Sequence, residues 1–478
     1  MGRKELYERL GQFNERIESA VENEKSIAIV ASVNPDGLCS GSIAAACISR
    51  LGGRCFIRTV MELTQEMIAD LKASGYDLFI FIDLGATTVN KLRDSLDARW
   101  LLIDHQNISD EAQGRLTADT VINLKECGID GGKEISSGGL AYLLALEASN
   151  KNKDLSKLAV VSALAEKQDI GEKRSLIGIN SEFVNTAQSI GALSVKPGLL
   201  ITGETMPIAE AIASNLSPCI DGLTWNYENS YLLTKNSGLR LKNKNGQWRI
   251  LAELDQEERG VLTEAIIKFM ATSAYTELPQ PEDLTGSIYS LREDPETSIR
   301  DARQFVELLK ACGYANKGGI GIGICMGDRR DILDEGERIF LAYKETLKEN
   351  ISRIFSERWR FNDYGNCVYV FGEGAVHETM IDSVCSFLVG CLSLNNKILL
   401  VRTITKDNSH YKFCITRGFR SKFPLILEDL VKSSSEPIGG AAWGRLNSTI
   451  CEIPLKKLDD FMISIRTKIR DAEFEDQC

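Results

Sequence analysis

Ala31-Ser-Val-Asn-Pro-Asp-Gly37 and Ile103-Asp-His-Gln106 decide how this chain is read. The apolar run at 26–31 predicts a buried strand. It ends in a carboxylate–glycine turn and leads into a small-residue helix over 40–50. Leu78–Ile82 predicts a second strand, with Asp83 at its C-terminal end, and Trp100–Ile103 a third, ending in Asp104 and His105. Parallel α/β sheets gather their ligands at such strand ends. Acids and an imidazole delivered to one edge predict a divalent-metal phosphoesterase site, although Ser, Asn and Gln stand among them and bind such metals poorly.

The alternation of apolar runs and helical patterns from 26 to about 193 predicts an α/β architecture, a parallel sheet with helices on both faces. Leu6, Leu10, Phe13, Ile17 and Val21 form an apolar stripe at helical spacing, predicting a helix that covers this sheet. Near Lys196 the rhythm changes. Residues 217–255 are polar, with a hairpin over 242–248 turning on Asn245-Gly246. A helix at 256–272 and a Pro-containing linker at 277–284 follow. Residues 298–326 read as a helix stopped at Gly313, then a small-residue run at 318–325. A charged helix from 333 to about 359 leads to strands at 367–371 and 397–402, which flank a helix at 378–392. A chain of 478 residues exceeds one core. Three domains are expected: 1–195, a helical and mixed middle insertion at 196–345, and a smaller α/β domain at 346–478. The acidic stretch at 471–476 is expected to be a solvated tail.

A net charge of -11 excludes a generally basic nucleic-acid coat, so contact with DNA must come from local patches. The 13 cysteines include no Cys-x-x-Cys pair, and Cys47, Cys325, Cys385 and Cys391 sit in apolar runs. That usage predicts buried, reduced thiols in a cytoplasmic protein and argues against a zinc site. No signal peptide or membrane-spanning apolar run is read, and Leu6 stands where a myristoylation signal needs Ser or Thr.

Taken together, the motifs resemble those of archaeal RecJ-like proteins of the DHH phosphoesterase superfamily, a group that includes the GINS-associated nuclease. It is related to the DHH-like subunit of the eukaryotic CMG replicative helicase. The family's His-x-Asp-x-Asp-Gly corresponds to Ser32-Val-Asn34-Pro-Asp36-Gly37, and its Asp-Leu-Gly to Asp83-Leu84-Gly85. Asp-His-His corresponds to Asp104-His105-Gln106, and a Gly-Asp at an Ala-rich strand end to Ala165-Glu166. Arg300–Gly313 and Ile324–Asp328 resemble two later signatures, and Gly439-Gly440-Ala441-Ala442-Trp443-Gly444 an altered C-terminal Gly-Gly-His motif. The resemblance runs over nearly the whole chain.

It implies two metals, typically Mn²⁺, flanking a scissile phosphate. One would use Asp36, Asp83, His105 and Glu166, with Asp104 bonding loop amides behind them. The other would use the positions of Ser32 and Asn34 with the bridging Asp83, and there an imidazole and a charge are lost. Gln106 cannot act as acid or base near neutral pH, and Ala441 removes an imidazole near the phosphate. No cofactor is then required, and at most one Mn²⁺ or Mg²⁺ is held. Arg417, Gly439 and Gly440 are the implied phosphate or DNA contacts, the glycine amides as an anion nest. Trp443 reads as core ahead of a base-stacking residue, and Arg240, Lys242, Lys244 and Arg249 as solvated charge.

The expected function is a degenerate, non-catalytic replisome component that binds GINS, joins the MCM helicase and guides single-stranded DNA. The alternatives are a weak metal-dependent single-strand exonuclease and a small-molecule nucleotide phosphoesterase.

Overall fold

The computed structural model describes residues 2–84, 88–96, 99–106, 120–122, 124–272, 280–294, 297–365, 367–391, 393–424, 426–445 and 447–475. Gly85, residues 277–279 of the expected linker and Asp476 of the expected tail lie outside the described residues. The chain divides into two compact units, Met1–Pro197 with Gly286–Leu341, and Gly198–Thr285 with Ala342–Cys478. The middle segment therefore splits. Residues 286–341 group with the N-terminal part, whereas 198–285 group with the C-terminal part.

In the first unit, β1 (Ile27–Ser32), β2 (Cys55–Val60), β3 (Leu78–Ile82) and β4 (Trp100–Ile103) form a parallel sheet in the order β2-β1-β3-β4. Every residue of β1, β3 and β4 is buried, which is why these strands read as continuous apolar runs. One face is closed by α3 (Gln65–Ala73) and α4 (Thr88–Leu96), whose Ile68, Leu71, Val89 and Leu92 pack on Val30, Phe79 and Phe81. On the other, α2 (Pro35–Arg50) packs against β1 and against the helices Ser137–Ala148 and Ser156–Ala165. The helix α1 (Gly2–Glu22) buries Leu6, Leu10, Phe13 and Ile17. It packs on the helix Ser137–Ala148, with Asn14 Nδ2 donating to the Leu144 carbonyl at 3.0 Å. The stripe thus covers the helical layer where the sheet itself was expected.

The helix α2 starts earlier than the sequence suggested. Pro35 and Asp36 are already helical, because Asn34 is the N-cap: its Oδ1 accepts from the Gly37 amide at 2.8 Å. A proline at the first helical position fits this, since its missing N–H would have no partner there. Nor does Gly313 stop a helix, for Ala302–Tyr314 runs through it. A Cβ on Gly313 would lie 2.5 Å from the Val33 carbonyl oxygen, so the glycine permits close approach. The small-residue run is itself a helix, Gly318–Cys325, packed on α2.

In the second unit, residues 199–284 bury a core of their own that includes Leu199, Ile212, Ile220, Leu262, Ile266 and Met270. The hairpin turns as expected, with the Asn243 amide donating to the Gln247 carbonyl at 2.9 Å. A six-stranded sheet follows, in the order Ala441–Arg445, Ser448–Pro454, His410–Arg417, Ile398–Ile404, Cys367–Phe371, Phe361–Asp363. Trp443 lies on its edge strand, 42% exposed, with the Lys412 ammonium 5.7 Å from its ring centroid. It is not a core residue, because the edge strand turns it outward. Among the described residues twelve cysteines are free thiols, and ten of these are buried. No helix among the described residues is long and apolar enough to cross a membrane.

Within the first unit a buried carboxylate ties distant segments together. Asp169 Oδ2 is 2.9 Å from both Arg174 and Arg303, and although burial opposes its charge, the two guanidinium groups hold its pKa below the usual range. Because the folded pKa is depressed, this contribution is present above the unfolded value of about 4 and fades as pH falls through the folded one. Asp169→Asn is expected to destabilise the chain by about 3 kcal/mol near neutral pH, since it removes the buried negative charge that both guanidinium groups face. Urea unfolding from neutral to acid pH measures this, and the difference from wild type should shrink at the acid end.

Candidate metal centre

The sheet order reverses beside β1, and the crevice beyond the strand ends is where such folds place ligands. Asp36 lies in the first turn of α2, after β1; Asp83 follows β3; Asp104 and His105 follow β4. Glu166 arrives differently. It caps the helix Ser156–Ala165, so a helix carries the residue that was expected at a strand end.

The Asp36 carboxylate is fully buried. Its Oδ2 accepts from the Ser137 amide at 3.0 Å and its Oδ1 from the Gly138 amide at 2.9 Å. These are first-turn amides of a helix, which favour negative charge. The Ser162 hydroxyl also donates to Oδ1. A Cβ on Gly138 would lie 2.3 Å from Ser162 Oγ, so this contact requires glycine. Asp83 sits at φ 55°, a left-handed conformation that Asp tolerates better than most residues. Ser137 Oγ bridges to Asp83 Oδ1 at 3.1 Å and His105 Nδ1 at 2.9 Å. Ser137, Gly138 and Ser162 were missed in the sequence. The only signal was Ser136-Ser-Gly-Gly139 opening an apolar helix, with the Ser136 side chain as its N-cap.

His105 Nδ1 is 3.5 Å from Asp36 Oδ2 and 3.6 Å from Asp83 Oδ1, and its Nε2 is 3.5 Å from Glu166 Oε2. Burial alone would lower its pKa, but Glu166, Asp36 and Asp83 outweigh it and raise the imidazole to about 10. Burial, then the charge of Glu166, pushes Asp36 up; burial, then Asp36, Asp104 and Glu166, holds Asp83 well above its usual value. The imidazolium is thus the internal cation of an otherwise acidic cluster, and a metal entering it must displace that proton.

Asp36, Asp83 and His105 each offer a ligand atom within 4.8 Å of the others, a donor set that suits Mn²⁺ or Mg²⁺. Glu166 faces Nε2, the position of a carboxylate that orients a metal-bound imidazole. Bound there, a divalent ion would polarise a phosphoryl oxygen and acidify a water. The second position does not fit. Asn34 Nδ2 donates to Asp83 Oδ2 at 2.6 Å while its Oδ1 holds Gly37, so an N–H points at the carboxylate that would bridge two ions. Ser32 Oγ accepts weakly from the Asn34 amide at 3.4 Å. The Gln106 backbone N–H donates to Asp104 Oδ1 at 2.8 Å.

Arg417, Gly439, Gly440 and Ala441 all lie in the second unit. Arg417 donates to the Phe423 carbonyl at 2.9 Å and Asn447 Oδ1 at 2.7 Å, closing its own loop. The amides of Gly439 and Gly440 donate to the Glu436 and Ser435 carbonyls, which occupies the donors an anion nest would use. Ala441 opens the edge strand.

No protein-family model matches the chain. It is 26% identical over 369 residues to the uncharacterized protein MJ0831 of Methanocaldococcus jannaschii, covering 76% of each. Thermus thermophilus RecJ, solved with Mn²⁺, superposes with a TM-score of 0.57 over 97% of this chain at 13% identity. The chain has the RecJ-like DHH fold. It spans 55% of the length of that RecJ. The CDC45 structure from Entamoeba histolytica shares the same DHH fold at a TM-score of 0.59, with 9% identity, covering 96% of this chain and 98% of CDC45.

Calorimetric titration of the chain with Mn²⁺ is expected to show one site, lost in Asp83→Ala. The double variant Ser32→His with Asn34→Asp is expected to gain a second. An unchanged stoichiometry in the double variant would mean that the first motif is misaligned.

Proposed function

We propose that this chain is a catalytically degenerate RecJ-like replication factor, a GINS-binding component of an archaeal CMG-type replicative helicase that works beside MCM in the cytoplasm and contacts single-stranded DNA. The observation that carries the reading is the Asn34–Asp83 hydrogen bond standing where a second metal would sit. Two-metal hydrolysis stabilises attacking and leaving oxygens together, and this site offers at most half of that machinery. The likeness to CDC45 over almost its full length supports the replisome context. GINS and MCM come from the family resemblance of the motifs.

A second reading, a weak one-metal single-strand exonuclease or phosphoesterase, is favoured by the convergence of Asp36, Asp83 and His105. Purified chain incubated with labelled single- and double-stranded DNA and Mn²⁺ or Mg²⁺ separates the two. No turnover above an Asp83→Ala control is expected; rapid cleavage abolished by Asp83→Ala would establish the second reading instead.

For GINS, the self-cored segment 199–284 presents an aromatic cluster. Tyr227 is 51% exposed and Trp248 46%, and both contact Tyr231. Aromatic anchors dominate protein interfaces. Tyr227→Ala with Trp248→Ala is expected to weaken GINS binding roughly tenfold or more, measured by biolayer interferometry on a variant with an unaltered circular-dichroism spectrum. Unchanged affinity would place the interface elsewhere.

A further inference from the structure

Cys219, Asp221 and Cys391 converge in the second unit, far from the residues of the DHH motifs in sequence. Each offers one ligand atom within 4.8 Å of the others. Cys219 and Asp221 sit on a loop of the self-cored segment, and Cys391 caps the helix Ile381–Gly390. Backbone pairing fixes their approach: Cys219 and Cys391 form a parallel bridge, and the Cys219 amide donates to the Gly390 carbonyl at 2.9 Å. Nearby, Trp225 stacks on Phe387 with centroids 4.5 Å apart.

We propose that these three side chains bind a thiophilic divalent cation, Zn²⁺ or its surrogate Cd²⁺, as a two-thiolate, one-carboxylate site. The thiols are 5% and 1% exposed, whereas Asp221 is only half-buried, leaving room for water as a fourth ligand. Cys219 Sγ lies 3.9 Å from Asp221 Oδ1. Ordinary Zn–S and Zn–O bonds in a tetrahedron put such atoms roughly 3.5 Å apart, so a small side-chain adjustment closes the site. The Cys391 thiol makes a weak hydrogen bond to the Phe387 carbonyl at 3.5 Å. Soft thiolate ligands select Zn²⁺ over Mn²⁺ or Mg²⁺. On binding, each thiol releases its proton to solvent as the S–metal bond forms, with no change of oxidation state. The ion would fasten the self-cored segment to the helix Ile381–Gly390.

The spacing of the sequence argued against zinc because two ligands and the third come from separate parts of the chain. No local motif could reveal them.

The test uses the full chain, reduced and stripped of metal, titrated with Cd²⁺ while the ultraviolet thiolate-to-cadmium charge-transfer band is followed. One equivalent giving two-thiolate intensity is expected. Cys391→Ser should lose it, and Asp221→Asn should keep a band while weakening affinity about tenfold, since one of three protein ligands is gone. Asp83→Ala should leave it unchanged, which separates this site from the DHH cluster. No band in the folded wild-type chain overturns the proposal. So does a band unaltered by Cys391→Ser, or a Cys219–Cys391 disulfide found by mass spectrometry of protein isolated without reductant. The wild-type titration decides even if a variant fails to fold.

Discussion

Burial of the Asp36 carboxylate sets the terms for the first unit. A charge removed from water must be met by donors from every side, and here they come from separate elements. Two amides open the helix Ser137–Ala148, a hydroxyl comes from the helix Ser156–Ala165, and the imidazole follows β4. Those donors fix where the two helices can lie against α2, and α2 in turn covers the sheet. Asp36 is therefore a packing device as well as a ligand position. Its presence in the sequence does not by itself argue for catalysis.

In the same cluster one imidazole stands among three acids. His105 touches three carboxylates, and its ring nitrogens divide them, with Nδ1 facing Asp36 and Asp83 and Nε2 facing Glu166. This division separates ligand positions from an orienting one more clearly than position in the motifs could. It gives Glu166 a use in which its extra methylene over aspartate does no harm.

The strands were legible because their residues are buried on both faces, so β3 and β4 appear in the sequence as apolar runs with the observed limits. The acids at their ends followed directly. Helix starts were harder. Asn34-Pro-Asp-Gly37 has the composition of a turn, and only the side-chain bond of Asn34 to Gly37 makes it a helix start. Trp443 was misread because an edge strand has the same alternation as an inner one. The seryl and glycyl contacts to Asp36 were illegible because they depend on close approach between helices, which small residues permit but do not specify. The split of the middle segment between units was hidden for a related reason: Arg303 belongs with Asp169, and nothing local to either says so.

Asn34 does two things at once, capping α2 with its oxygen and meeting Asp83 with its nitrogen. A carboxylate at 34 could do the first but would repel Asp83 unless a cation stood between them. With the amide, the like-charge repulsion is gone and the join between β1 and α2 is complete as soon as the chain folds. That corner of the protein therefore closes with no ion at the second position, while Asp36, Asp83 and His105 keep the first position open to one.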